Sequence, residues 1–318
     1  MSTESDCIDV AVGLIINPEQ EVLLAQRHDH AHQGGLWEFP GGKRDPNESI
    51  EDALRRELEE EIGISVRNAS PLIQIQHDYS DRAVKLHVFN IDSYDGIAHG
   101  SEGQAVRWQS LASLKSIAMP AANAAIVQAI LLPDMHLITP EPENFEDFLK
   151  TLQRCLQSGI RLIQYRDKLA DDAVYKQRLM AILKLTRAAN AQVMVNHSLS
   201  MFQQMKVDGL HLTAEQLTSL DSRPVSDESL LSASCHNLEE IRCANKIGTD
   251  FIMLSPVLPT LSHPGARTLG WQNAQELIWH AQMPVYVLGG MNPDDIPQAR
   301  RVGAQGIAGI RSVWTACQ

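Results

Sequence analysis

Cysteine is sparse and unorganised in this chain. The five cysteines, at 7, 155, 235, 243 and 317, form no C-x-x-C pair. An odd, scattered count of this kind fits reduced thiols in a cytosolic compartment, not a disulfide framework. A basic patch is also lacking. The net charge is −12 and the sequence pI near 5.4, which excludes binding to polymeric DNA or RNA through an electrostatic footprint. No apolar run reaches the length of a membrane span. The opening segment MSTESDCIDV has no basic region followed by an apolar core, so no signal peptide is expected and the expected location is cytoplasmic.

What is present is concentrated in residues 42–64, GKRDPNESIEDALRRELEEEIGI. From Ser49 to Glu61 this segment lacks Gly and Pro and is rich in Glu, Leu, Arg and Ala, which predicts a helix. Ile50, Ala53, Leu54 and Leu58 recur at helical spacing and give it one buried stripe. Glu57, Glu60 and Glu61 stand at i, i+3 and i+4 and share a face. Like charges so close repel, and a hard divalent cation such as Mg²⁺ or Mn²⁺ relieves the conflict. A merely solvated acidic face leaves Pro40, Gly41, Gly42 and Gly63 unexplained. Those glycines permit a tight loop that approaches a metal or phosphate, and a helix stop at Gly63.

Gly42, Glu48, Arg56, Glu57, Leu58, Glu60, Glu61, Gly63 and Ile64 fill every fixed slot of G-x5-E-x7-R-E-(apolar)-x-E-E-x-G-(apolar). The segment therefore resembles the Nudix box of metal-dependent pyrophosphohydrolases. The resemblance implies that Glu57, Glu60 and Glu61 hold the metal, with the Gly41 carbonyl as a further ligand. It implies that Glu48 and Arg56 orient those carboxylates. The reaction it implies is attack of water on a diphosphate linkage, with Mg²⁺ neutralising charge. Glu57 and Glu102 are both candidates for the general base.

The flanking segments AVGLIIN (11–17), LLAQR (23–27), LWEFPGGK (36–43), SDRAVKLHVF (80–89), SEGQAVRW (101–108) and MPAANAAI (119–126) resemble the MutT family in order and spacing. That family hydrolyses 8-oxo-dGTP to 8-oxo-dGMP and pyrophosphate. The resemblance makes Asn123 the base-reading amide and gives Phe39 backbone contacts to the purine. It places Arg27 and Arg82 on the nucleotide and Glu102 near the metal. An Asn carbonyl accepts from the N7–H of 8-oxoguanine, whereas guanine offers a lone pair there. A helix N-cap role for Asn123, with AAIVQAILL following, is compatible with base reading.

Near Pro133 the organisation changes. Eight short apolar runs, 135–139, 161–166, 193–196, 208–212, 230–235, 250–257, 284–290 and 304–310, alternate with helical patterns. This rhythm predicts a (β/α)8 barrel over 134–318, with its site at the C-terminal strand ends; for residues 1–132 the Nudix resemblance implies an α/β/α sandwich. Those ends carry Gln164, Arg166, Lys168, Asn196, His211, Ser234, Thr260, Ser262, Gly289 and Gly290. In order they resemble thiamine phosphate synthase and its TenI relatives, which implies a site for a phosphorylated thiazole or pyrimidine.

The chain departs from the synthase pattern where Mg²⁺ would bind. Asn196-His197 replaces Asn-Asp, Thr213-Ala214-Glu215-Gln216 replaces Gly-Gln-Glu-Asp, and His263 replaces the phosphate-loop lysine. Weak or lost synthase activity is expected. Thiamine phosphate synthesis, thiazole phosphate isomerisation through His211 or His263, and ligand binding without chemistry remain open for the barrel. A competing view makes the barrel the main unit, with the Nudix half removing a pyrimidine diphosphate.

Three features carry less weight. His28, His30 and His32 are expected to form a polar loop near the substrate mouth. Cys235 and His236 are strand neighbours that point to opposite faces and so make no dyad. Trp37 is expected to pack.

Overall fold

The computed structural model describes residues 7–28, 33–78, 83–260, 265 and 267–317. The chain divides into two compact units, one ending at Leu131 and the next beginning at Leu132.

In the first unit the elements run β1 (Ile8–Leu14), β2 (Glu21–Gln26), β3 (Trp37–Glu38), β4 (Gly41–Lys43), α1 (Ile50–Ile62), β5 (Ser65–Asp78), β6 (Ala83–Asp95), β7 (Val106–Ser110) and α2 (Asn123–Leu131). A four-stranded mixed sheet in the order β4-β1-β6-β5 stands beside a three-stranded sheet, β3-β2-β7. Alternation along β1 and β6 sends residues to two cores, as a sheet covered on both faces requires. One holds Val12, Leu86, Val88 and Ile126 of α2; the other holds Ala11, Phe89 and the Leu54, Leu58 and Ile62 stripe of α1. This is the expected α/β/α layering.

Helix α1 begins and ends as its sequence dictates. The Ser49 hydroxyl accepts the Asp52 N–H at 3.0 Å, and Gly63 closes the helix in the left-handed region at φ 68°. Leu58 is fully buried and touches the space a side chain on Gly13 would occupy. Truncating it to alanine would cost about 2–5 kcal/mol.

The second unit alternates β8 (Met135–Ile138), α3 (Phe145–Gln157), β9 (Leu162–Tyr165), α4 (Asp172–Ala188), β10 (Gln192–Val195), α5 (Leu199–Gln204), β11 (Gly209–Leu212) and α6 (Ala214–Thr218). It continues with β12 (Leu230–Cys235), α7 (Leu238–Ile247), β13 (Phe251–Leu254), α8 (Gly270–Ile278), β14 (Val285–Val287), α9 (Ile296–Arg301), β15 (Gly306–Gly309) and α10 (Arg311–Thr315). All eight strands are parallel and close on themselves, β15 pairing with β8. Each falls within one of the eight apolar runs, or one residue outside it.

Outward-facing side chains such as Leu137, Ile163, Val193 and Leu231 pack under the helices. A smaller interior core holds Leu162, Met194, Phe251, Met253 and Tyr286. No helix among the described residues is long and apolar enough to cross a membrane.

Candidate functional sites of the two units

In the first unit, Arg56 organises the box. Its guanidinium donates to Glu48 at 2.7 Å, Glu57 at 2.9 Å, Glu60 at 3.1 Å and the Lys43 carbonyl at 3.0 Å. Glu48 also accepts the Asp45 N–H at 2.6 Å, so it ties down the loop before α1. The Arg56 bond, followed by that N–H, holds its carboxyl below the usual range.

Glu61 instead accepts the Gly41 N–H at 2.8 Å. Burial pushes its carboxyl up to about 7; the Gly41 bond opposes this, while Glu38, Glu102 and Glu57 add repulsion. Burial likewise raises Glu57, against the pull of Arg56. A side chain on Gly42 would collide with the Glu57 carboxylate, which explains a glycine there.

Glu102 reaches this group from a loop far along the chain. Ser101 N–H and the Gln104 side chain both donate to the Glu61 carbonyl, at 3.0 and 2.8 Å. His28 lies 3.7 Å from Glu102; His30 and His32 are outside the described residues. Arg27 pairs with Glu38, a half-buried carboxylate raised by burial and opposed by Arg27. Phe39 is buried in the same core as Ala122 and Ile126, which flank the buried Asn123 at the start of α2. Arg82 lies outside the described residues. Trp37 lies under the Arg107 guanidinium at 3.9 Å, a cation–π contact that sequence reasoning missed.

A hard divalent cation suits this donor set, which is all oxygen and mutually repulsive. Among the described residues, however, no three acidic, His or Cys side chains are gathered closely enough to hold an ion as they stand. Arg56 neutralises Glu57 and Glu60, and Gly41 takes Glu61, so the carboxylates are near one another without converging on one point.

At the C-terminal end of the barrel lies a cavity of about 590 Å³. Thr260, Gly289 and Gly290 line it, together with His236, Asn292 and Arg311, which sequence reasoning did not assign to it. The φ of Gly290 is +67°, and a side chain there would meet the Pro259 carbonyl at 2.5 Å. Ser262 and His263 lie outside the described residues. Gln164 is buried, with its side-chain amide oxygen lacking a hydrogen-bond partner. Arg166 pairs with Glu141 at 3.4 Å, and Lys168 is exposed.

His211 points into the barrel, bonded to Ser232 at 2.8 Å and Ser234 at 2.9 Å. Burial pushes its imidazole down to about 3. The Asn196 amide donates to the His211 carbonyl at 3.2 Å. Below them His136 is fully buried, edge-on to Phe251 and Tyr286, with neither ring nitrogen partnered.

Comparison with known proteins accounts for both halves. Residues 135–313 match the family model described as Thiamine monophosphate synthase, and residues 11–129 match the NUDIX domain. The chain is a Nudix domain joined to a member of the thiamine monophosphate synthase family. An Aquifex aeolicus protein assigned as thiamine-phosphate synthase 2 is 34% identical over 180 residues, covering 56% of this chain and 96% of its own. The Escherichia coli 8-oxo-dGTP diphosphatase is 34% identical over 120 residues, 38% of this chain and 93% of its own. A solved MutT structure, from work on Aliivibrio salmonicida and Vibrio cholerae, is 36% identical and covers 40% of this chain and 98% of its own, with a TM-score of 0.35.

The residues that depart from the synthase pattern meet neighbours within the barrel. The ring of His197 lies against Tyr175 at 4.5 Å and 3.7 Å from Asp172, both on α4. Thr213 and Gln216 form a capping box for α6, and Glu215 is exposed. The Nudix half keeps its whole box.

Proposed function

We propose that the Nudix half hydrolyses 8-oxo-dGTP to 8-oxo-dGMP and pyrophosphate, removing oxidised nucleotide from the precursor pool. The observation that supports this reading is the Glu61 carboxyl, raised to about 7 first by burial and further by repulsion from Glu38, Glu102 and Glu57. Such mutual repulsion is a cost to the fold that a bound cation would relieve. Held by Glu57, Glu60, Glu61, Glu102 and the Gly41 carbonyl, Mg²⁺ or Mn²⁺ would neutralise phosphate charge and acidify the attacking water. Glu57 or Glu102 takes the proton from that water. Arg56 and Glu48 hold the carboxylates in register. Arg27 and Arg82 contact the nucleotide, the Phe39 backbone meets the purine, and Asn123 reads its N7–H and O6 edge.

The test is kcat/KM for 8-oxo-dGTP and for dGTP with Mg²⁺. A preference of roughly 10⁴-fold is expected for a site built around a hydrogen bond that dGTP lacks. Equal, slow rates would remove the substrate assignment and leave the reaction class.

For the barrel, we propose binding of a phosphorylated thiazole or pyrimidine at the mouth cavity, with Gly289 and Gly290 at the phosphate. The placement of His197 against α4 supports weak or lost synthase activity, since the residue at a Mg²⁺ position serves packing instead. Incubation with both synthase substrates and Mg²⁺ should yield no thiamine phosphate, while calorimetry should detect thiazole phosphate binding.

A further inference from the structure

Cys155 and Cys317 come from opposite ends of the barrel sequence and meet at one place. Cys155 is buried in the last turn of α3. Ser158, which ends that helix, donates to the Cys155 carbonyl at 2.9 Å, and its hydroxyl lies 3.7 Å from Cys317 Sγ. Cys317 follows α10 and bonds back to the Val313 carbonyl at 3.2 Å. Phe148 of α3 packs on Trp314 of α10, ring centroids 4.8 Å apart, which holds the two segments together. Cys317 packs against the apolar cluster that contains Cys155. Cys7 by contrast is exposed in the other unit, and Cys235 is buried beneath the barrel helices.

We propose that Cys155 and Cys317 are a modification site, forming a reversible intramolecular disulfide when the protein meets peroxide. Cys317, the more exposed thiol, is oxidised first: its sulfur takes one oxygen from hydrogen peroxide to give a sulfenic acid, and one water leaves. The Cys155 sulfur then attacks the Cys317 sulfur, the S–O bond breaks, and hydroxide leaves with the Cys155 proton as a second water. Two thiols and one peroxide thus give one disulfide and two waters. Burial raises the Cys155 thiol above its ordinary range, so Cys155 does not sense the oxidant itself and the first oxidation falls on Cys317.

The bond would fasten the chain end to α3. Gly309 and Ile310, just before α10, and Arg311 and Ser312, its first residues, line the mouth cavity. The link therefore fixes that segment and closes a loop spanning most of the barrel.

The experiment treats the full chain with stoichiometric hydrogen peroxide, alkylates free thiols, digests with trypsin without reductant and analyses the peptides by mass spectrometry. Residues 155–161 and 312–318 are separate tryptic peptides. They should appear joined in the wild type and in Cys243→Ser, absent in Cys317→Ser, and separated again by dithiothreitol. The barrel's melting midpoint should rise by at least about 5 °C in the linked form. Cys317 recovered as a sulfinic acid with Cys155 alkylated would overturn the proposal, as would recovery of both peptides unlinked and alkylated after peroxide.

Discussion

Asp9 and Arg44 meet at 3.0 Å across the start of the box loop. The other Asp9 oxygen takes His87 at 2.8 Å, and Arg44 donates on to the Glu48 carbonyl at 3.3 Å. A chain of contacts thus runs from β1, outside the box, to the glutamate that holds Arg56. Burial alone would raise the Asp9 carboxyl, but His87 and Arg44 outweigh it and hold it below the usual range.

Asp9→Asn should therefore act on turnover more than on stability. The pair is partly exposed and worth no more than about 1 kcal/mol. Loosening the support of Glu48 should lower kcat about tenfold with KM little changed. A fall in the melting midpoint that fully accounts for lost activity would show that the contact serves the fold alone.

Glu61→Gln should separate stability from activity. In chelator, folded Glu61 keeps its proton up to about 7, whereas the unfolded chain releases it near 4.5. The folded state binds the extra proton between those values, so stability is present at low pH and falls as pH rises through the window. After allowance for partial exposure the loss is about 2–3 kcal/mol at pH 8. The glutamine variant should melt higher than wild type at pH 8 and lose at least about 10²-fold in hydrolysis.

Asn123→Ala should flatten the preference for the oxidised base. Loss of one buried amide should cut the ratio of kcat/KM values for 8-oxo-dGTP and dGTP by about 10²-fold. An unchanged ratio, with both rates lowered equally, would reassign Asn123 to the helix start.

Acid should weaken the barrel through its interior histidines. His211 and His136 are held below the ordinary range, His211 at about 3, by burial. The unfolded chain protonates them below about 6.5 and the folded one does not, so their contribution is complete above that pH and lost as pH falls. For His211 the slope approaches about 1.4 kcal/mol per pH unit. Urea titrations between pH 7.5 and 5 should show a shallower decline in His211→Gln than in wild type.

Periodicity was enough to place the eight barrel strands and α1, because a parallel strand buried on both faces is a short apolar run and an amphipathic helix carries its stripe in the sequence. The partners of individual residues were less legible. His136 lies within a run read only as apolar, and its inward direction depends on how the barrel closes. In the sequence His236 stands out only as the neighbour of Cys235; in the fold it lines the mouth cavity. The link from Asp9 to Arg44 depends on β4 pairing with β1, a register that no local spacing encodes. Glu102 was found through family resemblance, and the structure adds the route: two bonds from its own loop to the Glu61 carbonyl.

The pairing of β15 with β8 also sets the order of events during synthesis. Met135 of β8 finds its neighbour on that side only at Ile307, about 170 residues later. At roughly 5–20 residues per second, β8 waits on the order of 10–30 s with one edge uncovered. The Nudix half, whose strands and helices are all made by Leu131, has no such wait. The nascent chain therefore carries a finished first domain ahead of an open sheet, and that interval is when the barrel is most exposed to mispairing and most dependent on chaperones.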